Sequence, residues 1–351
     1  MSIFDLIFNK ITYDIGIDLG TSAIKVALKG KGIVYNEPSV VAIKNRTKQI
    51  LAVGLEARQM IGRTPSGIIA VRPLRDGVIS DFDSTEAMLR YFINKVNHEY
   101  SQSIKIPRPR VVIGIPSSIT EVECKAVIDA ATSAGARKVF IIEEPMAAAI
   151  GSDLPIEDAS GSMVIDIGGG TTDIAIISLG GIVIDNTMKI AGDEMDQEIV
   201  NYARHKYNIL IGEKMAEDIK IAIGSAYTLK KEQDMNMRGR DLISGLPKNV
   251  KITSIEIREA LHKVLNRISD SAREAIEKSP PELLSDLVER GVTIAGGGAL
   301  LAGIDKYFQE KLHLPIQIAE DPVNAVARGT EKLLESIQLL EKVQLSIEDL
   351  I

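Results

Sequence analysis

Two stretches of the chain each place an aspartate just before a glycine turn. Residues 18–22 read Asp-Leu-Gly-Thr-Ser, and residues 166–172 read Asp-Ile-Gly-Gly-Gly-Thr-Thr. A sharp turn at glycine leaves several backbone N–H groups pointing the same way, and such a nest binds phosphate oxygens. The hydroxyls of Thr21 and Ser22 add donors to the first turn. One such turn alone is more often only a turn, but its repetition predicts a phosphate site.

A third glycine run favours a nucleotide as the phosphate carrier. Residues 296–298 are three glycines that follow the apolar run 292–295, and the pattern predicts a helix from about Ala299 to Leu312. A helix that opens on glycine lets a ligand approach its backbone closely. Two matching turns together with this third run predict nucleotide binding.

Three charged side chains accompany the turns. Asp18 and Asp166 offer carboxylates to Mg²⁺, which prefers oxygen ligands and keeps several of its waters. We therefore expect these two residues to hold the metal through water. Lys25, on the strand after the first turn, is placed to neutralise phosphate charge.

The elements that must position these residues are those of an α/β protein. Apolar residues alternate over 15–19 and 24–28, a third apolar run covers 33–43, and the pattern predicts an antiparallel meander. Residues 163–168 and 174–177 repeat the first two strands. Two similar halves predict a two-lobed molecule that binds its ligand in a cleft at the strand ends.

The intervening segments alternate between helix and strand. A period near 3.6 around residues 88–96 and 121–134 predicts helices, and the apolar run 110–116 predicts a strand covered on both faces. Polar stretches look like insertions that form smaller subdomains. The expected bounds are 1–10 for an N-terminal segment, 11–150 with 320–351 for the first lobe (insertion about 44–85), and 151–319 for the second lobe (insertion about 192–254).

Composition excludes several classes of protein. The 351 residues carry 41 Lys and Arg against 48 Asp and Glu, and a net charge of −7 argues against nucleic acid as a partner. The single cysteine, Cys124, can form no internal disulfide, so a reducing, cytoplasmic compartment is expected. No apolar stretch approaches the roughly 18 residues of a membrane span.

The first ten residues form a pattern of their own. Ile3, Phe4, Ile7 and Phe8 recur at helical spacing, which predicts a short amphipathic helix on a membrane surface. The alternative is a terminal helix docked on its own protein or on a neighbouring subunit. One such anchor binds lipid weakly, whereas many copies in one assembly bind by multivalency.

The three glycine motifs resemble the phosphate-1, phosphate-2 and adenosine motifs of the actin/Hsp70/hexokinase superfamily. Within it, the resemblance to the MreB family of bacterial actins, the MreB/Mbl family, covers nearly the whole chain. Specific runs carry it, at residues 30–34, 36–40, 72–73, 75–79, 142–149, 191–196 and 280–283.

The resemblance implies an actin-like fold, with two related lobes that each hold a mixed five-stranded sheet flanked by helices, and a nucleotide cleft. It also implies a slow ATPase that binds ATP or ADP with Mg²⁺ and polymerises into membrane-associated filaments that determine cell shape. The implied partners are other copies of the chain, in double protofilaments, membrane lipid, and membrane proteins of cell shape or division. The implied location is the cytoplasm, peripheral to the inner face of the cell membrane.

The resemblance also implies roles for individual residues. Glu144 matches the residue that orients the attacking water, with Thr171 as its helper, while the neighbouring Glu143 is not matched. The implied nucleotide contacts are Gly20, Thr21, Ser22, Ala23, Lys25, Gly168, Gly169, Gly170, Glu217, Asp218, Ile219, Lys220, Gly296, Gly297, Gly298 and Ala299. Glu217 and Lys220 share a helix face, and without the resemblance a surface ion pair would be the preferred interpretation.

Four features depart from the family pattern. Ala23 stands where Asn is typical, which removes a possible phosphate donor, and Asp173 stands where Glu is common. Lys25 occupies a position that is usually apolar in MreB, although actin carries a Lys there. Residues 101–108 lack the Leu-Phe pair of the hydrophobic membrane loop. Membrane binding would then depend more on residues 1–10.

Two other functions fit the same superfamily. A small-molecule kinase needs a carboxylate base beside a bound hydroxyl, and no separate substrate motif is visible. An Hsp70-like chaperone needs a β-rich peptide-binding domain after the ATPase, whereas this sequence ends soon after Leu334 in a helical pattern. The polymerising ATPase is therefore the preferred hypothesis.

Overall fold

The structure is a computed structural model that describes residues 13–100 and 109–345. The predicted N-terminal segment 1–10 and the loop 101–108 lie outside the described residues. The strands are β1 (Ile15–Leu19), β2 (Ala23–Leu28), β3 (Gly32–Pro38), β4 (Val41–Lys44), β5 (Ile50–Val53), β6 (Ile68–Val71), β7 (Leu74–Arg75), β8 (Val78–Ile79), β9 (Arg110–Ile115), β10 (Lys138–Glu143), β11 (Ser162–Ile167), β12 (Thr172–Ser178), β13 (Gly181–Met188), β14 (Ile209–Leu210), β15 (Asp234–Asp241), β16 (Pro247–Thr253), β17 (Val292–Ala295) and β18 (Ile316–Ile318).

The described helices surround these strands. They are α1 (Leu55–Met60), α2 (Phe82–Tyr100), α3 (Glu121–Ser133), α4 (Glu144–Gly151), α5 (Gly192–Tyr207), α6 (Glu213–Ile223), α7 (Ser254–Glu277), α8 (Pro281–Arg290), α9 (Ile304–Leu312), α10 (Ala325–Glu335) and α11 (Ile337–Val343). The chain divides into two compact units. One holds the residues up to 159 with 177–182 and those from 324 onward, and the other holds 160–176 and 183–323.

The first unit is built on a mixed five-stranded sheet in the order β10-β9-β1-β2-β3. The predicted meander is confirmed, because β1, β2 and β3 pair antiparallel, with Ile15 opposite Leu28. Strands β9 and β10 join β1 in parallel. All six residues of β9 are buried, which confirms the strand covered on both faces.

The second unit is built on a five-stranded sheet in the order β13-β12-β11-β17-β18. Strand β17 pairs in parallel with β11 and with β18, and Asp166 lies opposite Ala295. Isoleucine, leucine and valine side chains from this sheet and its helices form one apolar core, in which Ile165, Ile219 and Leu261 are fully buried. Burial of such side chains is the main source of stability in a core without tryptophan.

The predicted helix from Ala299 to Leu312 is wrong in its first part. Residues Gly297–Leu300 form a short 3₁₀ helix, and α9 begins only at Ile304. Leu301 is extended and Gly303 adopts a left-handed conformation with φ 75°. A Cβ atom on Gly303 would lie 2.7 Å from the Cβ of Tyr227. The helix is interrupted because the chain turns tightly against Tyr227 at this glycine.

Smaller sheets occupy the inserted segments. Strands β5, β4 and β6 form a three-stranded sheet, β7 and β8 form a hairpin, and β14, β15 and β16 form a second three-stranded sheet. Within the two described ranges, no helix is both long and apolar enough to cross a bilayer.

Candidate nucleotide-binding site

The first predicted turn joins β1 to β2 and contains a buried ion pair. The side chains of Asp18 and Lys25 are only 7% and 10% exposed, and the Lys25 ammonium lies 2.5 Å from Asp18 Oδ2. The two residues pair across the antiparallel strands. Each neutralises the other, and both stand beside the turn that is predicted to bind phosphate.

Backbone and side-chain hydrogen bonds hold the first turn in place. The Ser39 hydroxyl donates to the carbonyl of Gly20 at 2.6 Å, and the Ser39 N–H donates to the carbonyl of Ser22 at 3.1 Å. The N–H of Gly77 donates to the hydroxyl oxygen of Thr21 at 3.1 Å. Thr21 is buried and Ser22 is exposed. The turn is thus fixed from two sides, and the proton of the Thr21 hydroxyl is left for another acceptor.

Glu144 is the first residue of α4, directly after β10. In the parallel strands β10, β9 and β1, residues Ile142, Gly114 and Asp18 stand in register. Glu144 therefore lies at the same carboxyl edge of the sheet as the first turn. A Cβ atom on Gly114 would lie 2.9 Å from Val326 Cγ1 but 3.7 Å, an ordinary contact distance, from Glu144 Cγ, so the glycine makes room for Val326 of α10. Glu144 is only 8% exposed, and a carboxylate in the first helical turn is favoured by the helix dipole.

The second predicted turn joins β11 to β12. The Gly168 N–H donates to the carbonyl of Thr171 at 2.9 Å, which closes the turn. The N–H groups of Gly192 and Asp193, at the start of α5, donate to the carbonyls of Gly168 and Gly169 at 3.2 and 2.8 Å. With its carbonyls bound on that side, the turn is held by the helix behind it, and Thr171 is 6% exposed.

The glycine run 296–298 packs directly on the end of β11. Gly296 has a φ of 79°, and a Cβ atom there would overlap Asp166 Oδ1 and the carbonyl of Ile167. A Cβ atom on Gly298 would overlap the side chain of Ile167. Gly297, in contrast, is exposed and has no atom within 4 Å of its Cβ position. The run thus combines two positions that only glycine fits with one that faces open space.

Helix α6 carries the other predicted adenosine contacts. Ile219 is fully buried in the core and Asp218 is exposed, so their side chains point in different directions. The Lys220 ammonium donates to the carbonyl of Gly192 at 2.8 Å and lies 2.9 Å from Asp196 Oδ1. The Lys220 ammonium therefore binds two groups on α5, the carbonyl of Gly192 and the carboxylate of Asp196.

The carboxyl group of Asp196 has an unusual pKa. Burial raises the pKa to about 6, against the opposing attraction of the Lys220 ammonium, and the nearby Glu217 and Asp193 raise it further. Only 9% of the residue is exposed. A buried acid that titrates close to neutral pH is typical of functional sites, although structural ion pairs show it too.

The chemistry of the predicted metal ligands fits a hydrated Mg²⁺. Asp18 and Asp166 are buried carboxylates beside the two turns, with 5% and 6% of each residue exposed. Within the part of the chain that the structure describes, no three His, Cys, Asp or Glu side chains gather to hold a metal ion. Attachment through few carboxylates and several waters is the mode that Mg²⁺ adopts with nucleotide phosphates.

Sequence reasoning missed several residues that shape the site. Ser39 and Gly77 fix the first turn, and Asp196 binds Lys220. Each of them lies within a run that supported the family resemblance or a predicted strand, but none carries a pattern that indicates its partner. Their partners are distant in sequence, so only the folded structure identifies them.

Comparison with known proteins decides the family. A family model described as MreB/Mbl protein matches residues 12–342. The chain belongs to the MreB/Mbl family. The cell shape-determining protein Mbl of Bacillus cereus is 51% identical over 329 residues, which cover 94% of this chain and 98% of Mbl. The cell shape-determining protein MreB of Escherichia coli is 49% identical over 330 residues, which cover 93% and 94%.

Solved structures confirm the actin-like fold expected of an MreB/Mbl protein. The crystal structure of MreB5 of Spiroplasma citri bound to ADP has a TM-score of 0.88 and 42% identity, and the match covers 93% of this chain and 97% of that one. The same protein bound to AMPPNP has a TM-score of 0.87. A MamK double helical filament, 22% identical with a TM-score of 0.79, shows the fold alone. The family does not favour the small-molecule kinase.

The buried pair of the first turn predicts a stability effect. Lys25→Met leaves the buried Asp18 carboxylate without its ammonium, and we expect the free energy of unfolding to fall by about 3 kcal/mol. Asp18→Asn combined with Lys25→Met should recover at least about 1 kcal/mol of that loss, because no buried charge of the pair remains. Urea unfolding of the nucleotide-free variants measures both values. If the changes in free energy of unfolding caused by the two single substitutions simply added in the double variant, Asp18 and Lys25 would not be energetically coupled, and the prediction would be wrong.

Proposed function

We propose that this protein binds ATP, hydrolyses it slowly and polymerises into filaments on the inner face of the cell membrane, where they determine cell shape. The observation that carries the proposal is the repeated turn. Each five-stranded sheet ends a central strand in a buried aspartate and a glycine turn, in a chain of the MreB/Mbl family. Relatives named for cell shape determination and MreB5 bound to ADP and AMPPNP support it.

Each of the two turns would bind phosphate. At the first turn, Gly20, Thr21, Ser22 and Ala23 would offer backbone N–H groups and two hydroxyls, and Lys25 a positive charge. At the second turn, the backbone N–H groups of Gly169 and Gly170 would donate, while that of Gly168 closes the turn on the carbonyl of Thr171. Converging N–H groups bind phosphate without a full positive charge, because each brings a fixed partial charge to the anion.

The adenosine would lie against the glycine run and α6. Gly297 has open space where a side chain would stand, and Gly296, Gly298 and Ala299 shape the backbone around it. From α6, the side chains of Glu217 and Lys220 share one face, whereas the buried Ile219 side chain packs in the core. Asp218 is exposed and would contribute only at the rim.

Asp18 and Asp166 would hold Mg²⁺ through its waters. The metal supplies positive charge that neutralises the triphosphate when it is bound. Binding would also draw Lys25 from Asp18 toward phosphate, because a triphosphate offers more negative charge than one carboxylate. The residues themselves thus provide two carboxylates and one ammonium in a buried setting.

Hydrolysis would depend on Glu144 and Thr171. The Glu144 carboxylate would accept a hydrogen bond from the attacking water and align it with the γ-phosphorus, and the Thr171 hydroxyl would assist. The N–H groups of the two turns would stabilise charge that develops on the phosphoryl oxygens. Burial of Glu144 keeps its carboxylate from being solvated by bulk water, which strengthens the hydrogen bond to a single ordered water.

The filament would consist of copies of this chain in double protofilaments. Membrane lipid would bind through residues 1–10, and membrane proteins of cell shape or division are further partners of such a filament. No part of this assembly needs nucleic acid, in keeping with the net charge of −7.

Sedimentation with and without ATP tests the proposed function. Purified protein should pellet with ATP and Mg²⁺ and stay in the supernatant without nucleotide, and electron microscopy of the pellet should show paired filaments. Anionic lipid vesicles should increase the pelleted fraction. Protein that stays in the supernatant under ATP, ADP, salt and lipid conditions would contradict polymerisation.

Glu144→Ala should lower ATP turnover about 100-fold while leaving nucleotide affinity within about twofold, because the carboxylate orients water and does not hold the nucleotide. Phosphate release and equilibrium binding measure the two effects. Glu143→Ala is the matched control, since it removes the adjacent carboxylate, and it should keep most of the turnover. Unchanged phosphate release by Glu144→Ala would refute the role.

Deletion of residues 2–10 should lower the fraction of protein that pellets with anionic vesicles several-fold, because the apolar side chains Ile3, Phe4, Ile7 and Phe8 are removed. Filament formation without lipid should persist, and it serves as the control for folding. If the full-length and shortened forms pellet equally with vesicles, the anchor lies elsewhere in the chain.

A further inference from the structure

Lys220 and Asp196 form a buried ion pair beside the proposed nucleotide site. The Lys220 ammonium lies 2.9 Å from Asp196 Oδ1, and the two side chains are 17% and 13% exposed. The same ammonium donates to the carbonyl of Gly192 at 2.8 Å. One cation thus joins α6 to the first turn of α5 at two points.

The first turn of α5 is also bonded to the second phosphate turn. Gly192 and Asp193 donate their N–H groups to Gly168 and Gly169 at 3.2 and 2.8 Å. A Cβ atom on Gly192 would lie 3.3 Å from both the Gly168 carbonyl oxygen and the Lys220 ammonium nitrogen. The turn, the start of α5 and Lys220 are therefore packed without spare room.

We propose that Asp196 is a positioning residue for nucleotide binding: its carboxylate holds Lys220 against Gly192 and so fixes α6 relative to the second phosphate turn. This inference rests on the proposed function, because it assumes that α6 and the turn bind the same nucleotide. Asp196 itself does not contact the nucleotide in this proposal. Asp196 acts through Lys220, whose ammonium is held by the Asp196 carboxylate and by the Gly192 carbonyl.

The charges around Asp196 make this anchor sensitive to pH. Lys220 faces it from α6 and stabilises the ionised form, while Glu217 of α6 and Asp193 of α5 oppose ionisation. Helix α7 also packs against α5, and its Arg267 lies 3.9 Å from Glu194, so this cation has an acidic partner of its own. With burial as the largest cause, the pKa of Asp196 rises to about 6. Acidification through that value protonates the carboxyl and weakens its hold on the ammonium.

Stability and nucleotide affinity should then respond to pH with opposite signs. Because the folded-state pKa lies above the ordinary value of 3.8, protonation of Asp196 favours the folded state. Its contribution to stability is full below pH 3.8 and is lost as the pH rises through about 6. Nucleotide affinity should instead fall as the pH drops through the same value. A role in stability alone predicts only the first of these changes.

The test compares binding of a fluorescent ADP by three proteins between pH 5 and pH 8, at concentrations where sedimentation shows no polymer. Asp196→Asn keeps the shape of the side chain but carries no charge. It should bind about tenfold more weakly than the natural protein at pH 8, and the difference should vanish near pH 5. The phosphates of the probe titrate equally for all three proteins, so the difference between profiles isolates Asp196. Asp196→Glu restores the charge and should recover part of the affinity.

Several outcomes would overturn the inference. If Asp196→Asn matches the natural protein across the pH range, Asp196 does not position the site. If Asp196→Asn fails to fold, Lys220→Met replaces it in the comparison. The role would then be contradicted if the ADP affinity of Lys220→Met depended on pH in the same way as that of the natural protein. Weak binding by Lys220→Met with normal binding by Asp196→Asn would mean that Lys220 acts alone. A natural protein that binds no ADP at any pH would instead overturn the proposed function.

Discussion

The close approach of two backbone segments at the ends of β11 and β17 is the constraint on which the proposed site depends. Asp166 stands in register with Ala295, and the next residue, Gly296, lies so near Asp166 and Ile167 that a Cβ atom would overlap both. Only glycine permits this contact at a φ of 79°. The contact brings the second glycine turn and the glycine run to the same edge of one sheet, where both are proposed to contact the nucleotide.

The same principle places the chemical groups of the first unit. In three parallel neighbours, the register of Ile142, Gly114 and Asp18 brings the start of α4 and the first turn to one edge. Parallel strands end together, so the residues that follow them form a common surface. The carboxylate of Glu144 and the turn it is proposed to serve are thus aligned by strand pairing and not by loop conformation.

Local patterns in the sequence predicted the turns, the meander and the buried strand, because alternation and glycine reflect backbone geometry over a few residues. Partners on a neighbouring strand or helix were not predictable. The pattern indicates that Lys25 neutralises phosphate, whereas in the structure its ammonium pairs with Asp18, and Lys220 pairs with Asp196 on another helix. The helix expected from Ala299 begins later because of a packing contact that no local pattern encodes. The assignment of nucleotide contacts to individual residues stays a prediction.

The most direct test of the account is the affinity of Gly297→Val for ATP. The position is exposed and has open space around a Cβ atom, so the substitution should leave the thermal midpoint within about 2 °C of the natural value. The added side chain should nevertheless occupy the space proposed for adenosine and weaken ATP binding at least about tenfold. Gly67→Val, at another open position, is the control and should bind normally. Equal ATP affinity of both variants and the natural protein would contradict the proposed site.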